Sequence, residues 1–431
     1  MRSSVMGEQR PAVAGAGRSG APPAVASYAG RAAWIAFALT APLYLATMNR
    51  AIGFIDRGEL AAVAYTFGIP HATGYPTLML IGGALAHLVP LRPVLVLNAF
   101  AAVLVAAGAA VLTLLLDRVL ATVAPTVGAT AGARARGGYA LGAASFTALS
   151  VTWWQQANGF EVYALHAVLM PLVVLLCLRW VDAPAAAATR AGWAFALVLG
   201  LAFTNHLTTV LLAPGLLAVA VSRFGFGRRF WRRVASLVPP FLIGLLPYAW
   251  LPLRSAMSPR FDWGGTRTLA GFVHQVTGAD YRGWMFADPA SFATQARYLL
   301  WRVPWDFVWL GLLVAALGAL WLARRAPALA GMAALFTLCG AVFAAGYRIL
   351  DLDAYLLTTI LGLATFFAAG LLRLHERLGA RVAIICTVVL VALAAALHWS
   401  GADESGNRLV EHRVADVLGP LPPRAMLITT S

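Results

Sequence analysis

Apolar runs of about 18 residues or more recur from one end of this 431-residue chain to the other. Each is long enough to cross a hydrocarbon core of roughly 30 Å. A backbone in lipid must satisfy its own hydrogen bonds, so the expected fold class is all-α: a polytopic bundle of transmembrane helices. The charged fraction agrees, at 11% where a soluble domain carries about 25%. The sequence predicts eleven spans, near 31–50, 93–116, 137–153, 162–180, 192–204, 207–222, 234–252, 304–322, 327–346, 355–372 and 382–399. Residues 1–30 read as a disordered cytoplasmic tail, 31–399 as one transmembrane catalytic domain and 400–431 as an outer C-terminal tail.

A further apolar stretch, Tyr75 to Val89, is short and bounded by Pro76 and Pro90. Charge decides whether it crosses. All 32 basic residues are arginine. If 75–89 lies in the interface, 19 of them fall on the N-terminal side of the membrane, including Arg118, Arg134, Arg136 and the run Arg228, Arg229, Arg232 and Arg233. The positive-inside rule then sets the N-terminus in the cytoplasm. If 75–89 crosses, the short Arg-rich loops face outward. Topology therefore explains the net charge of +15, and no nucleic-acid partner is needed. Cys177, Cys339 and Cys386 sit in apolar stretches and read as small core hydrophobes.

With that topology the acidic residues sort themselves. Glu8, Asp117, Asp182 and Glu376 fall inside, and the other 13 of 17 fall outside or at the outer boundary. Acids contribute little to orientation, so the bias points to chemistry at the outer face. The strongest motif is the first outer loop, Asp56-Arg57-Gly58-Glu59, where a spacing of three puts both acids on one helix face. A carboxylate next to lipid has a raised pKa, which suits a general base. The plain structural reading is a salt bridge to Arg57, with Asp56 as a helix cap.

His71-Ala72-Thr73-Gly74-Tyr75-Pro76 reads as a tight polar re-entry, with His71 able to bind phosphate or position a base. Glu161-Val162-Tyr163 opens a span, where a carboxylate is either a helix-dipole partner or a second acid facing a cavity. Asn205–His206 lies at a turn between short spans and faces the bundle or merely ties helix ends together. Arg348 precedes Asp351-Leu352-Asp353, which has the spacing of a divalent-metal or sugar-hydroxyl site. Arg254 follows a span and either holds a phosphate or snorkels to headgroups. No P-loop, GxGxxG, CxxC or HExxH motif occurs, so nucleotide, redox and zinc-protease chemistry have no support.

These motifs, in this order, resemble a family within the GT-C superfamily of membrane glycosyltransferases that includes an animal transmembrane protein O-mannosyltransferase. The family pattern runs roughly D-x-G-E, H-P-P-G-Y-P, E-V-Y, N-H and a late acidic loop. The sequence departs from it at Ala72–Thr73. The resemblance implies a GT-C fold with interface helices in the first outer loop. It also implies a donor, a sugar linked to polyprenyl phosphate, bound at the outer leaflet of a plasma or inner membrane. Longer members carry an outer C-terminal domain. The tail through Ile428–Ser431 is expected to begin one.

The expected reaction moves a hexose, mannose foremost, to a hydroxyl of a protein or glycan. Asp56, Glu59 and Glu161 are the catalytic candidates. His71, Tyr75, Tyr163, Asn205, His206, Arg254, Arg348, Asp351 and Asp353 are the substrate-binding candidates. A divalent metal held by Asp56 and Glu161 stays open beside arginine. The rivals are a transporter or lipid flippase, which would place acids at the midplane, and a non-catalytic binder of lipid-linked sugar. The topology has its own test. Gly264→Cys should label from outside with a membrane-impermeant thiol reagent and Arg229→Cys should not; the reverse pattern would overturn the orientation.

Overall fold

The computed structural model describes residues 23–124, 129–422 and 424–426. The expected tail before residue 23 and the strand-like end at 428–431 lie outside them. Among the described residues there is no strand, and nineteen α-helices form the chain. The first five are α1 (Pro23–Thr47), α2 (Asp56–Tyr65), α3 (Pro76–Leu88), α4 (Pro93–Ala121) and α5 (Ala129–Ala148). The middle of the chain holds α6 (Val151–Trp154), α7 (Val162–Val181), α8 (Ala185–Phe203), α9 (Ala213–Phe224), α10 (Arg228–Ala235), α11 (Val238–Gly244), α12 (Trp250–Ala256) and α13 (Leu269–Val276). The last are α14 (Pro289–Asp306), α15 (Leu310–Arg325), α16 (Pro327–Gly346), α17 (Leu357–Leu378), α18 (Ala380–Ala402) and α19 (Leu409–Leu418).

Eight helices are long and apolar enough to cross a membrane, and ten spans result when each of two bent pairs is counted as one. The remaining expected span, α5, carries Arg134 and Arg136 and falls short in hydropathy. It nevertheless packs against α1, α4 and α17 within the bundle. The expected span 304–322 is not straight. Its first residues end α14, and a 92° bend separates α14 from α15. The segment expected at 234–252 is also broken, by 42° near Leu245, where Pro247 cannot donate to the preceding turn. Helix α1 begins at Pro23, inside the stretch expected to be tail.

Helix α3 stays out of the span count, as charge demanded. Its 13 residues reach only about 20 Å, and it packs against α2 and α4. Proline starts α3, α4 and α16, where a missing N–H costs nothing and the fixed φ suits the first turn.

The bundle is built around α4, α7 and α17, and glycines let their neighbours come close. At the α15–α17 crossing, a Cβ on Gly318 would collide with the Phe366 carbonyl and one on Gly370 with the Val314 carbonyl. Small residues at such crossings raise van der Waals contact, the main attraction between helices in lipid. Gly318→Val must push the helices apart. The expected cost is about 1–3 kcal/mol, read as a lower thermal midpoint in detergent; an unchanged midpoint would show that the crossing is slack.

Candidate active site

Helix α2 presents the first acid. Asp56 is its first residue; the N-cap is Ile55, with no side-chain cap. Leu60, Val63 and Ala64 are buried along the stripe that begins at Asp56, so α2 lies down against the bundle with Asp56 at a cavity of about 290 Å³. Glu59, one turn on, points elsewhere. Its two oxygens accept the His71 backbone N–H at 2.9 Å and the ring Nδ1 at 3.0 Å. This fixes the ring, whose Nε2 stands 3.6 Å from Asp56 Oδ2. The order is Glu59, then His71, then Asp56, with only the last two on the cavity wall.

Arg57 does not neutralise Asp56, contrary to the salt-bridge alternative. Its guanidinium bonds Glu404 Oε2 at 2.7 Å. A Cβ on Gly53 or Gly159 would strike the Arg57 side chain, so both glycines form the notch it occupies. Asn49 and Asn158 also donate to Glu404, each at 3.4 Å. Asn98 completes the frame. Its Nδ2 donates to Asn49 and Ala51 carbonyls, and its Oδ1 accepts the Phe160 N–H. The loop before α2 and the loop before α7 are thereby pinned to each other and to the end of α18.

Glu161 occupies the N-cap of α7 without capping it. It lines the first cavity and also a second, more polar one of about 510 Å³. Tyr163 lines both as well and donates its hydroxyl to Asp351 Oδ2 at 3.2 Å. Among the described residues, no arginine lies within ion-pair distance of Asp56, Glu161 or Asp351. Burial is the main cause that raises the pKa of each; for Asp56 the His71 charge opposes it and the Glu59 charge adds to it, and the Asp56 charge adds to the rise at Glu161 and Asp351. The rise is largest for Glu161, although Arg57 opposes it. Burial pulls His71 down, but its hydrogen bond to Glu59 and the charges of Asp56, Glu59 and Asp351 outweigh this, and the net shift is up.

The cavity wall is aromatic. Tyr75, in a left-handed conformation ahead of α3, donates to the Ala72 carbonyl and packs edge-on against His71. Its ring stacks on His206 at 6.2 Å between centroids. His206 is 7% exposed, with Nδ1 engaged by Thr208, so Nε2 faces the cavity. Burial, with His166 and His71 nearby, holds His206 well below its usual pKa.

Other expected site residues have structural work. Asn205 donates to the Val162 carbonyl and lines neither cavity, so it ties helix ends together. Arg254 donates to the Phe67 and Thr66 carbonyls, which makes it a C-terminal cap of α2, and it lines neither cavity. Arg348 is exposed and lines neither cavity. Asp353 reaches the polar cavity, but Arg302 and Tyr298 already satisfy it. It forms no metal pair with Asp351, because each carboxyl is bonded to a different side chain. The grouping that could hold a metal is instead Asp56, Glu59 and His71, whose ligand atoms lie within 4.8 Å of one another.

This bundle resembles known proteins in fold. Two crystal structures of ArnT from Cupriavidus metallidurans superpose. The one bound to undecaprenyl phosphate gives a TM-score of 0.54 at 20% identity, and the apo form 0.56 at 18%. Each match covers 91% of this chain and 66% of ArnT. The chain has the GT-C fold of the membrane glycosyltransferases. Within that fold, residues 56–226 match the family model described as the Protein O-mannosyl-transferase TMEM260 N-terminal domain. The mouse Protein O-mannosyl-transferase TMEM260 is 28% identical over 271 residues, which is 62% of this chain and 37% of the mouse protein. The Dictyostelium discoideum protein is 26% identical over 263 residues, 56% of this chain and 29% of its own length. The chain thus aligns with about a third of the length of these relatives.

Sequence reasoning passed over several residues that border this cavity or hold its frame. Arg282 stands exposed at the mouth of the first cavity, whose wall also includes Tyr281, Tyr347 and Tyr355. Nothing in local spacing marks Arg282, because the long loop that carries it folds back only in three dimensions. Glu404 is likewise 347 residues from the arginine it holds. The Glu59–His71 pair is testable without turnover. Glu59→Gln removes a charge and an acceptor that raise the His71 pKa, so the imidazole should titrate at lower pH in histidine-labelled NMR, with His71→Ala assigning the signal. An unmoved titration would break the link between them.

Proposed function

We propose that the chain is a glycosyltransferase that moves a hexose from a polyprenyl phosphate to a protein hydroxyl at the outer membrane face. The observation that carries this reading is the pair of cavities that share Glu161 and Tyr163, with Asp56 on one and Asp351 on the other, and with none of the three acids ion-paired to an arginine. Carboxyls so placed can exchange protons near neutral pH. Mannose as the sugar and protein as the acceptor follow from the names of the mouse and Dictyostelium relatives. The polyprenyl phosphate follows from the lipid in the ArnT structure. All three remain part of the proposal.

In the step proposed, an acceptor hydroxyl approaches from the polar cavity and gives its proton to Asp56. The oxygen forms a bond to the anomeric carbon with inversion. The carbon–oxygen bond to phosphate breaks, and polyprenyl phosphate leaves with the electron pair. His71, held by Glu59, orients Asp56 and stabilises its charge. Glu161, whose carboxyl burial pushes well above its usual pKa, serves in its protonated form as a hydrogen-bond donor toward the sugar or the departing phosphate. Arg282 at the cavity mouth supplies the positive charge expected of Arg254 or Arg348. Tyr75, Tyr163 and His206 form the face for the sugar ring. Asp56 and His71 Nε2 are also suitable ligands for a divalent cation, with Glu59 behind the imidazole. Bound there, a cation would add Lewis acidity at the phosphate.

A transporter would carry its acids near the midplane, and here they gather at one end of the bundle. A binder without activity has the same walls, so only turnover separates it. Purified protein is given radiolabelled polyprenyl-phosphate-mannose and a Ser/Thr-rich peptide. Asp56→Asn should lose about 10²–10⁴-fold of transfer or donor hydrolysis. The wild-type rate should fall as pH drops through the Asp56 pKa, above the ordinary carboxylate range, because protonation removes the base. Activity retained in the variant would move the base to Glu161. A folded wild type inert toward all lipid-linked sugars would leave the binder.

A further inference from the structure

Two histidines face the reaction cavity, and their hydrogen bonds run in opposite directions. At His71 a carboxylate oxygen of Glu59 accepts from Nδ1. At His206 the partner of Nδ1 is a donor. The backbone N–H of Thr208, which can only donate, aims at it from 3.4 Å, and the Thr208 hydroxyl lies 2.6 Å away. The Nδ1 lone pair takes both, so the proton of the neutral ring sits on Nε2. Among the described residues nothing bonds that Nε2, and His206 lines the cavity beside Tyr75, Tyr163 and Tyr355.

The direction of the bonds is set from deeper in the bundle. The Thr208 hydroxyl has one proton. With that proton directed at His206 Nδ1, its oxygen has only lone pairs left to offer, and the atom facing them is His166 Nε2 at 3.3 Å. His166 therefore carries its proton on Nε2 and donates it. Its ring stands on α7 one turn past Tyr163, almost wholly buried, with its centroid 5.7 Å from that of His206. His166 Nδ1 is buried with no partner among the described residues. Leaving a polar atom so carries a desolvation penalty, and an apolar ring would fill the same space without it. The bond made by the other nitrogen gives the histidine its reason to be there.

We propose that Thr208 and His166 are positioning residues that hold His206 as the Nε2–H tautomer, and that this N–H donates to a hydroxyl oxygen of the donor sugar. The inference rests on the glycosyl-transfer reading and adds to it a contact that selects the sugar. The tautomer also separates the two histidines by task. An imidazole that ligates a metal donates through its other nitrogen, as His71 does to Glu59. The protonated Nε2 of His206 has no lone pair for a cation and can only meet an acceptor. Tyr75 lies within 16° of parallel to the His206 ring, and Tyr163 stands 5.1 Å from it between centroids, so the ring has little room to turn and the N–H keeps its aim.

The test uses mannosyl-phosphoryl-citronellol and its monodeoxy analogues, each lacking one sugar hydroxyl, and measures equilibrium binding beside transfer. Wild type should bind one analogue about three- to tenfold more weakly than the parent, the worth of one neutral hydrogen bond. His206→Phe and Thr208→Val should bind the parent as weakly as that analogue and no longer distinguish the two. Thr208→Ser, which keeps the hydroxyl, should restore the discrimination, and His166→Phe should diminish it. The losses of Thr208→Val and His206→Phe should not add in the double variant, because the first acts through the second. Additive losses, or a wild type that treats all analogues alike, would overturn the inference. Histidine-labelled NMR needs no ligand: the His206 signal, assigned with His206→Phe, should show a protonated Nε2 and an unprotonated Nδ1. A protonated Nδ1 would overturn the inference by itself. Discrimination among the analogues in binding, with no transfer from any donor, would keep the contact and overturn the transferase.

Discussion

Carboxyl groups held away from water with no arginine beside them are the constraint around which the rest of this molecule is arranged. Removing a charge from water is expensive unless it is paired. At the opposite end of the bundle every described acid is paired: Asp117 with Arg136, Asp182 with Arg118 and Glu376 with Arg373. At the cavity end, Asp56, Glu161 and Asp351 have only each other, His71 and Tyr163. The protein meets the cost by raising their pKa values, and groups so shifted can both take and give protons. The one arginine next in sequence to Asp56 is turned away and bound to Glu404. Capturing Arg57 keeps the cavity acids unneutralised.

That arrangement demands a rigid frame, and the frame is made of amides. Asn98 on α4 binds the backbone on both sides of the cavity, and Asn158 binds the carbonyl of Ala402 at the end of α18. These asparagines are almost wholly buried. Losing one partner would strand a buried polar group, at a cost of about 1–3 kcal/mol, so the loops they join are held in one register. Arg254 does the same for the far end of α2 by taking the carbonyls of Thr66 and Phe67. Arg254, which resembles a ligand by charge, serves here to hold the helix that carries Asp56.

Much of this was legible in the sequence, for reasons that can be stated. Long apolar runs force helices in lipid, and the arginine distribution left 75–89 out of the span count; α3 is indeed too short to cross. Asp56, His71, Tyr75, Glu161, Tyr163 and His206 were all named from local spacing, and the structure brings them to one cavity. The expected residues that lie off the first cavity do so for a shared cause. Arg254, Arg348 and Asp353 were assigned by residue type near a membrane boundary, but whether such a group faces a ligand depends on partners far along the chain. Asp353 meets Arg302 across 51 positions, and Arg254 meets Phe67 across 187. The bend between α14 and α15 was hidden as well, because a run of apolar residues looks the same whether it crosses straight or turns by 92°.

The first motif shows how a short spacing can divide labour. Residues three apart on a helix differ by about 60° in direction, close enough to share a neighbourhood but not a target. Asp56 looks into the cavity, and Glu59 looks to His71. Because Glu59 accepts a hydrogen bond from the Nδ1–H, the imidazole offers Nε2 to Asp56 and to whatever the cavity admits. Had Glu59 faced the cavity too, two carboxylates would compete for one proton and His71 would lack a fixed tautomer. One acid instead sets the histidine and the other faces the cavity, while Glu161, which shares that cavity, has its pKa raised furthest by burial. Three carboxyls of similar intrinsic acidity are thereby given three different surroundings by direction and burial alone.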